Sequence, residues 1–327
     1  QTFVACLREA LDELARAEPD AGYRQALAAY LGLWLSRIAQ RTNVVRLWNV
    51  QGENVEHPFG RQAIPMVWDY PEVNPLAETS GGALGQIDWI LRVVEHESTT
   101  PTLVLYPAHV SVGDAATALQ LSDAMDSVVT DPPYFDAISY ADLADYFYIW
   151  LKRGLGDEFP EAFTTPLTPK SEEATALKHR HYGDGEEANR HFTTKLAKCF
   201  AEARRLCKPE GTVTVMFAHQ STEAWTALIQ ALFQAGLTVT ATYPIDTERT
   251  MALKRNLSAL ASSITVVCRP RQVGAAAALR DVRREIEAAV ARAVQRYYSY
   301  GLRGADLVFA CYGPAVGVFG RYGRVER

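Results

Sequence analysis

The chain has 327 residues, 48% of them hydrophobic and 22% charged, enough to bury one large core or two smaller ones and too apolar for a disordered or fibrous chain. Its 33 Lys and Arg against 38 Asp and Glu leave a net charge of −5, which excludes a uniformly basic nucleic-acid coat while allowing a local basic surface. Five scattered cysteines form no C-x-x-C pair, so no metal site is expected, and no apolar run reaches the roughly 20 residues of a membrane-spanning helix.

Apolar residues at helical spacing predict helices over Thr2 to Ala17 and Tyr23 to Gln40. From Arg41 to Gly85 prolines, glycines and aromatics break the pattern into loops, and a helix returns from Leu84 to His96. Short β-rich runs then alternate with longer helical ones. Strands are expected at Thr102 to Tyr106, Ser127 to Thr130, Thr212 to Ala218, Leu237 to Tyr243 and Ile264 to Cys268. Helices are expected from Tyr140 to Arg153, Ala188 to Cys207, Thr222 to Gln234 and Ala275 to Tyr298, with a KPEG turn at Lys208 to Gly211. The polar stretch Gly154 to Glu187 is too long for an ordinary connection and reads as a functional loop or lid. Alternating strands and helices predict an α/β fold, a doubly wound, mainly parallel sheet covered on both faces. With no leader-like N-terminus, a reducing, cytoplasmic setting is expected. The chain opens on Gln1 rather than Met and enters a helical pattern at once, which points to a segment of something longer.

The sharpest local feature is VVTDPPY, Val128 to Tyr134, because an apolar strand runs directly into it. That places it at the carboxyl end of a strand, where open α/β sheets bind ligands. An exocyclic amino group on adenine or cytosine is a poor nucleophile, its lone pair being delocalised into the ring. A rigid loop of acceptors corrects this: the Asp131 carboxylate and the Pro132 carbonyl accept from the amine, and neither Pro132 nor Pro133 has an N–H to compete. Tyr134 is placed to stack on the base, a contact worth about 1–3 kcal/mol, with Phe135 adding to that wall. Such a base must first be flipped out of the duplex. The competing interpretation is a plain proline turn after a core strand.

VVTDPPY, GDA at Gly113 to Ala115 and CKPEGTVTVMFAH at Cys207 to His219 together resemble the catalytic half of amino-group S-adenosylmethionine-dependent DNA methyltransferases. More closely, FGRQAIPMVWDYPEVNP from Phe59, TDPPYFDAISYADLADYFYIWLKR from Thr130 and LASSITVVCRPR from Leu260 are similar to the large adenine-specific DNA methylases of bacteria and archaea, some with a zinc ribbon, of DISARM-type phage-defence loci. The resemblance implies a Rossmann-like methyltransferase fold, S-adenosylmethionine as cofactor, duplex DNA with a flipped base as substrate, and other defence-system proteins as partners. It divides the chain into a helical and loop-rich region 1–100, a catalytic region 101–270 and an arginine-rich C-terminal addition 271–327. Asp131, Pro132, Pro133 and Tyr134 then match the catalytic loop. Gly113 and Asp114 fall where the cofactor adenine is commonly bound, though Asp114 is equally suited to capping a helix or turn. His219, ending the next strand, falls near the same sheet edge as a substrate-side residue or a satisfied turn histidine.

The glycine-rich loop that holds the methionine end of the cofactor has no match before Asp131. The resemblance implies that it is to be expected upstream of Gln1, or, in a permuted arrangement, within DLVFACYGPAVGVFG at Asp306 to Gly320. The Trp68, Asp69, Glu72, Asn74 cluster gains no role from its spacing and reads as a buried tryptophan beside a polar turn. Lys170, Lys178, His179, Arg180 and His181 in the long loop are the better DNA-contacting set. The arginines from Arg269 to Arg296 are the weaker one. N4 methylation of cytosine, and a catalytically silent DNA-binding or interaction module, stay open as alternatives.

Overall fold

The computed structural model describes residues 1–56, 58–59, 66–100, 108–110, 112–117, 122–246, 262–271 and 274–326. They fall into two compact units, one built from 1–112 and 139–173, the other from 113–138 and 174–327. The division differs from the three consecutive regions expected from sequence. The helix after the DPPY loop belongs with the N-terminal helices, and the C-terminal segment belongs with the sheet. The expected strand Thr102 to Tyr106 lies outside the described residues.

The first unit holds α1 (Thr2–Ala17), α2 (Ala21–Arg41), a hairpin of two short strands β1 (Trp48–Asn49) and β2 (Asn54–Val55), α3 (Ala83–Thr99) and α4 (Tyr140–Leu155). Val4, Leu7 and Leu11 repeat at helical spacing on α1 and meet Ala28 and Leu35 of α2 and Leu155 of α4 in one small core. Gly154 packs closely there: a Cβ on it would lie 2.9 Å from Leu7 Cδ2, so the leucine side chain would have to shift to admit one. Trp68 is exposed, 89% of its surface open to solvent, and not buried as expected, while Asn74 does make the polar turn, its Oδ1 accepting from the Leu76 amide at 3.0 Å.

The second unit is a mixed α/β structure. Its elements are β3 (Met125–Thr130), α5 (Gly185–Leu206), β4 (Cys207–Phe217), α6 (Thr222–Gln234), β5 (Leu237–Asp246), β6 (Ser262–Pro270), β7 (Ala276–Ala278), α7 (Leu279–Ser299), α8 (Gly304–Ala310), α9 (Tyr312–Phe319) and β8 (Arg324–Glu326). The main sheet has the order β3-β4-β6-β5, and β7 pairs with β8 separately. β3 and β4 are parallel, whereas β6 runs against both β4 and β5. The mainly parallel sheet expected from sequence is therefore a mixed one among the described strands, because hydrophobic periodicity marks a strand without fixing its direction. Two reversals restore direction, so β3, β4 and β5 point the same way and their carboxyl ends share one edge.

Val213, Val215 and Phe217 alternate along β4 and line up with Cys268, Val266 and Ile264 of β6 on one buried face. Phe192, Leu196 and Phe200, spaced by four on α5, and Trp225, Leu228 and Leu232 on α6 share that core. The opposite face is not covered to the same degree among the described residues: Val129 is 76% exposed. Asp184 caps α5 by accepting from the Glu186 and Glu187 amides, and Ser221 caps α6 through the Ala224 amide. The KPEG segment lies within β4, where a register shift against β3 takes up its extra residues. The Asp306 to Gly320 segment forms α8 and α9 and follows no strand, so it cannot serve as the permuted glycine loop. Among the described residues no helix is long and apolar enough to cross a membrane.

Candidate active site

β3 ends at Thr130 and delivers the chain directly into the loop Asp131 to Ile138, at the edge where β4 also ends. Pro132 is buried and Asp131 is exposed. The loop is fixed by its own backbone: the Phe135 amide donates to the Pro133 carbonyl at 3.1 Å, and the Ala137 amide to the Tyr134 carbonyl at 3.0 Å. The Phe135 carbonyl accepts from Ala176 at 3.0 Å. Phe135 has φ +56°, a left-handed backbone that a bulky residue keeps only where its surroundings over-determine it. Here they do. Its ring is 5% exposed and meets Phe192 edge-on at 5.1 Å and His219 at 5.5 Å.

Phe135 is thus a core anchor of the loop, and its ring is buried away from the surface on which a stacking wall was expected. The Tyr134 ring is half-buried and rests edge-on against Phe217 at 5.7 Å.

Asp131, Pro132 and Pro133 form part of the wall of a cavity of about 350 Å³ between β3 and α5. Val128, Leu196 and Phe200 make it largely apolar, and Asp131 and Glu202 supply carboxylates, the composition of a small-molecule site. The Asp131 carboxylate and the Pro132 carbonyl have no hydrogen-bond partner among the described residues, whereas the Pro133 carbonyl is spent on Phe135. Two acceptors on adjacent residues are therefore unpartnered among the described residues, on a loop held by its own backbone hydrogen bonds.

The residues expected to bind the cofactor are placed unevenly. Ala115 lines the cavity, and the Asp114 charge reaches it: burial and then Asp114 push the Cys199 thiol above its ordinary range. Asp114 also performs the structural task foreseen as its alternative, its Oδ1 accepting from the Ala116 amide at 2.9 Å. Gly113 is exposed, with no described atom within 4 Å of where a Cβ would be, so no close approach requires a glycine there. An apolar slot suits an adenosine, and the Asp131 carboxylate suits a sulfonium cation, whereas Glu202 is already paired with Arg205 at 2.8 Å. No glycine-rich turn among the described residues completes the set. S-adenosylmethionine fits the cavity's chemistry on that part of its surface.

His219 is held on every side. Its Nε2 lies 3.0 Å from Asp136 Oδ1, its Nδ1 accepts from the Ser221 amide and hydroxyl, and its carbonyl accepts from Trp225 Nε1 at 2.9 Å. Both ring nitrogens are thus engaged by the protein, and the ring links Asp136 in the loop after β3 to Ser221 at the start of α6. Asp136 was not singled out by sequence; its place five residues beyond Asp131 in the same loop was the available signal.

Of the long-loop cations, Lys170 is committed to Asp145 at 2.5 Å, and the His181 ring lies 5.0 Å from His191. The segment carries two short 3₁₀ turns, Pro160–Phe163 and Lys178–His181. Tyr182, fully exposed at the end of the second, has φ +53°. Comparison with family models, with characterised proteins and with solved structures returns no match to this chain.

Proposed function

We propose that this protein is a DNA methyltransferase that moves a methyl group from S-adenosylmethionine to the exocyclic N6 amine of adenine. The Rossmann-like, doubly wound architecture and a role in phage defence belong to the same proposal. The observation that carries it is the pair of unspent acceptors, the Asp131 carboxylate and the Pro132 carbonyl, on a loop that opens onto an apolar cavity at the carboxyl end of β3.

When bound, S-adenosylmethionine supplies an electrophilic methyl group on sulfur. Asp131 and the Pro132 carbonyl accept the two amine hydrogens, which draws the nitrogen lone pair out of conjugation and aims it. Tyr134 stacks on the flipped base, and the Phe135 anchor keeps the acceptors from drifting. The proton released on methylation passes to Asp131 or to solvent. Lys178 and its neighbours hold the duplex backbone without reading its sequence.

The test is mass spectrometry of nucleosides from DNA incubated with the protein and labelled cofactor. N6-methyladenine is expected, and Asp131→Ala should abolish it while leaving the melting temperature unchanged. N4-methylcytosine would reassign the base, and an active Asp131→Ala protein would overturn the mechanism.

A further inference from the structure

A second hollow, of about 590 Å³, is bounded by the outer edge strand β5, by α7 and by α9. β5 and β3 are opposite edges of the sheet, three strand spacings or roughly 14 Å apart, so this hollow is separate from the Asp131 cavity. Small residues one helical turn apart line it, Ala289 and Ala293 on α7 and Gly313 and Gly317 on α9.

Three arginines line the hollow: Arg292 and Arg296, four apart on one face of α7, and Arg321 just beyond α9. No carboxylate is among the described lining residues. Elsewhere on α7 the arginines are neutralised, Arg283 by Glu287 at 3.1 Å and Arg284 by Asp281 at 3.4 Å. Arg292 and Arg321 have no ion-pair or hydrogen-bond partner for their side chains among the described residues. Arg296 is held in place: its Nη2 donates to the Tyr297 hydroxyl at 2.8 Å, and the buried Tyr297 donates to the Thr242 carbonyl at 2.8 Å.

Three like charges left together in a chain of net charge −5 repel one another, an arrangement that an anion would relieve. Guanidinium forks match phosphate oxygens, and the hollow is the size of a small-molecule site. Tyr243, 57% exposed, adds an aromatic surface on β5. We propose that this cleft binds a small phosphorylated ligand of nucleotide size, its phosphates on Arg292, Arg296 and Arg321.

The test is isothermal titration of the protein with ADP, pyrophosphate, adenosine and a short DNA duplex at fixed ionic strength, with neither methyl donor nor other substrate present. ADP and pyrophosphate should bind and adenosine should not. The double variant Arg292→Gln, Arg321→Gln should weaken both by at least tenfold at an unchanged melting temperature, since both side chains are exposed. ADP held in any other cavity would bind the double variant normally, and that result overturns the proposal. So does the absence of ADP and pyrophosphate binding at millimolar concentration, or binding of the duplex alone through these arginines. None of these outcomes depends on whether the Asp131 site transfers methyl groups.

Discussion

His219 Nε2 lies 3.0 Å from Asp136 Oδ1, while the ring's other nitrogen takes the Ser221 amide at 3.1 Å. A backbone N–H can only donate, so Nδ1 is an acceptor and Nε2 carries the proton directed at Asp136. The bond ties the loop after β3 to the end of β4. The Ser221 hydroxyl, which caps α6, donates to the same ring. The register of one helix cap is thereby passed to the loop that carries Asp131.

Loosening that tie should affect rate more than binding. Asp136→Ala is expected to lower methylation on the order of tenfold to a hundredfold, the cost of a small misplacement of reacting groups. Asp136→Asn, which keeps an acceptor for Nε2, should restore most of it. His219→Ala should cost about 1–2 kcal/mol in urea denaturation by leaving the Ser221 amide without its partner. Equal loss in the Asn and Ala variants at 136 would show that the carboxylate takes part in chemistry.

Local pattern was enough to locate most helices and the strand that feeds DPPY, because those depend on periodicity within a few turns. It could not show that Asp136 meets His219, which depends on two strands lying side by side. Nor could it give the direction of β6. Phe135 illustrates the limit well. Its neighbours in sequence are a catalytic-looking tyrosine and an aspartate, and only its left-handed φ sends the ring inward to Phe192. The glycines of DLVFACYGPAVGVFG similarly suggested a ligand loop, yet they let α9 lie against β5: a Cβ on Gly317 would stand 2.8 Å from the Val239 carbonyl.

Phe135→Ala should destabilise the protein by about 3–5 kcal/mol, the usual cost of emptying an aromatic core position. Equilibrium urea denaturation measures this directly. A ring that stacked on substrate from the surface would leave the midpoint unmoved and lower only base affinity.

The segment after α4 should respond to acid. Burial raises the Asp145 pKa, but hydrogen bonds from Lys170 and Thr168 outweigh it, and the carboxyl is held below its ordinary value. A depressed folded pKa gives stability that is present above the unfolded carboxylate range and lost as pH falls through the folded value. Proteolytic nicking between residues 164 and 173 should therefore accelerate below about pH 4. Asp145→Asn should nick readily at neutral pH as well. A nicking rate indifferent to both changes would remove Asp145 as the clasp.

Thiol labelling offers a direct probe of the Asp131 cavity. Cys6 is exposed and Cys199 half-buried, whereas Cys207, Cys268 and Cys311 are buried. Burial pushes the Cys268 thiol up to about 12, so almost none is thiolate at neutral pH. A maleimide should modify Cys6 first, Cys199 more slowly and Cys268 only on unfolding. Since Cys199 lines the cavity with Asp131, S-adenosylmethionine should slow its labelling severalfold and leave Cys6 untouched. Peptide mapping by mass spectrometry distinguishes the two thiols. A Cys199 rate unchanged at saturating cofactor would mean that the methyl donor does not occupy this cavity.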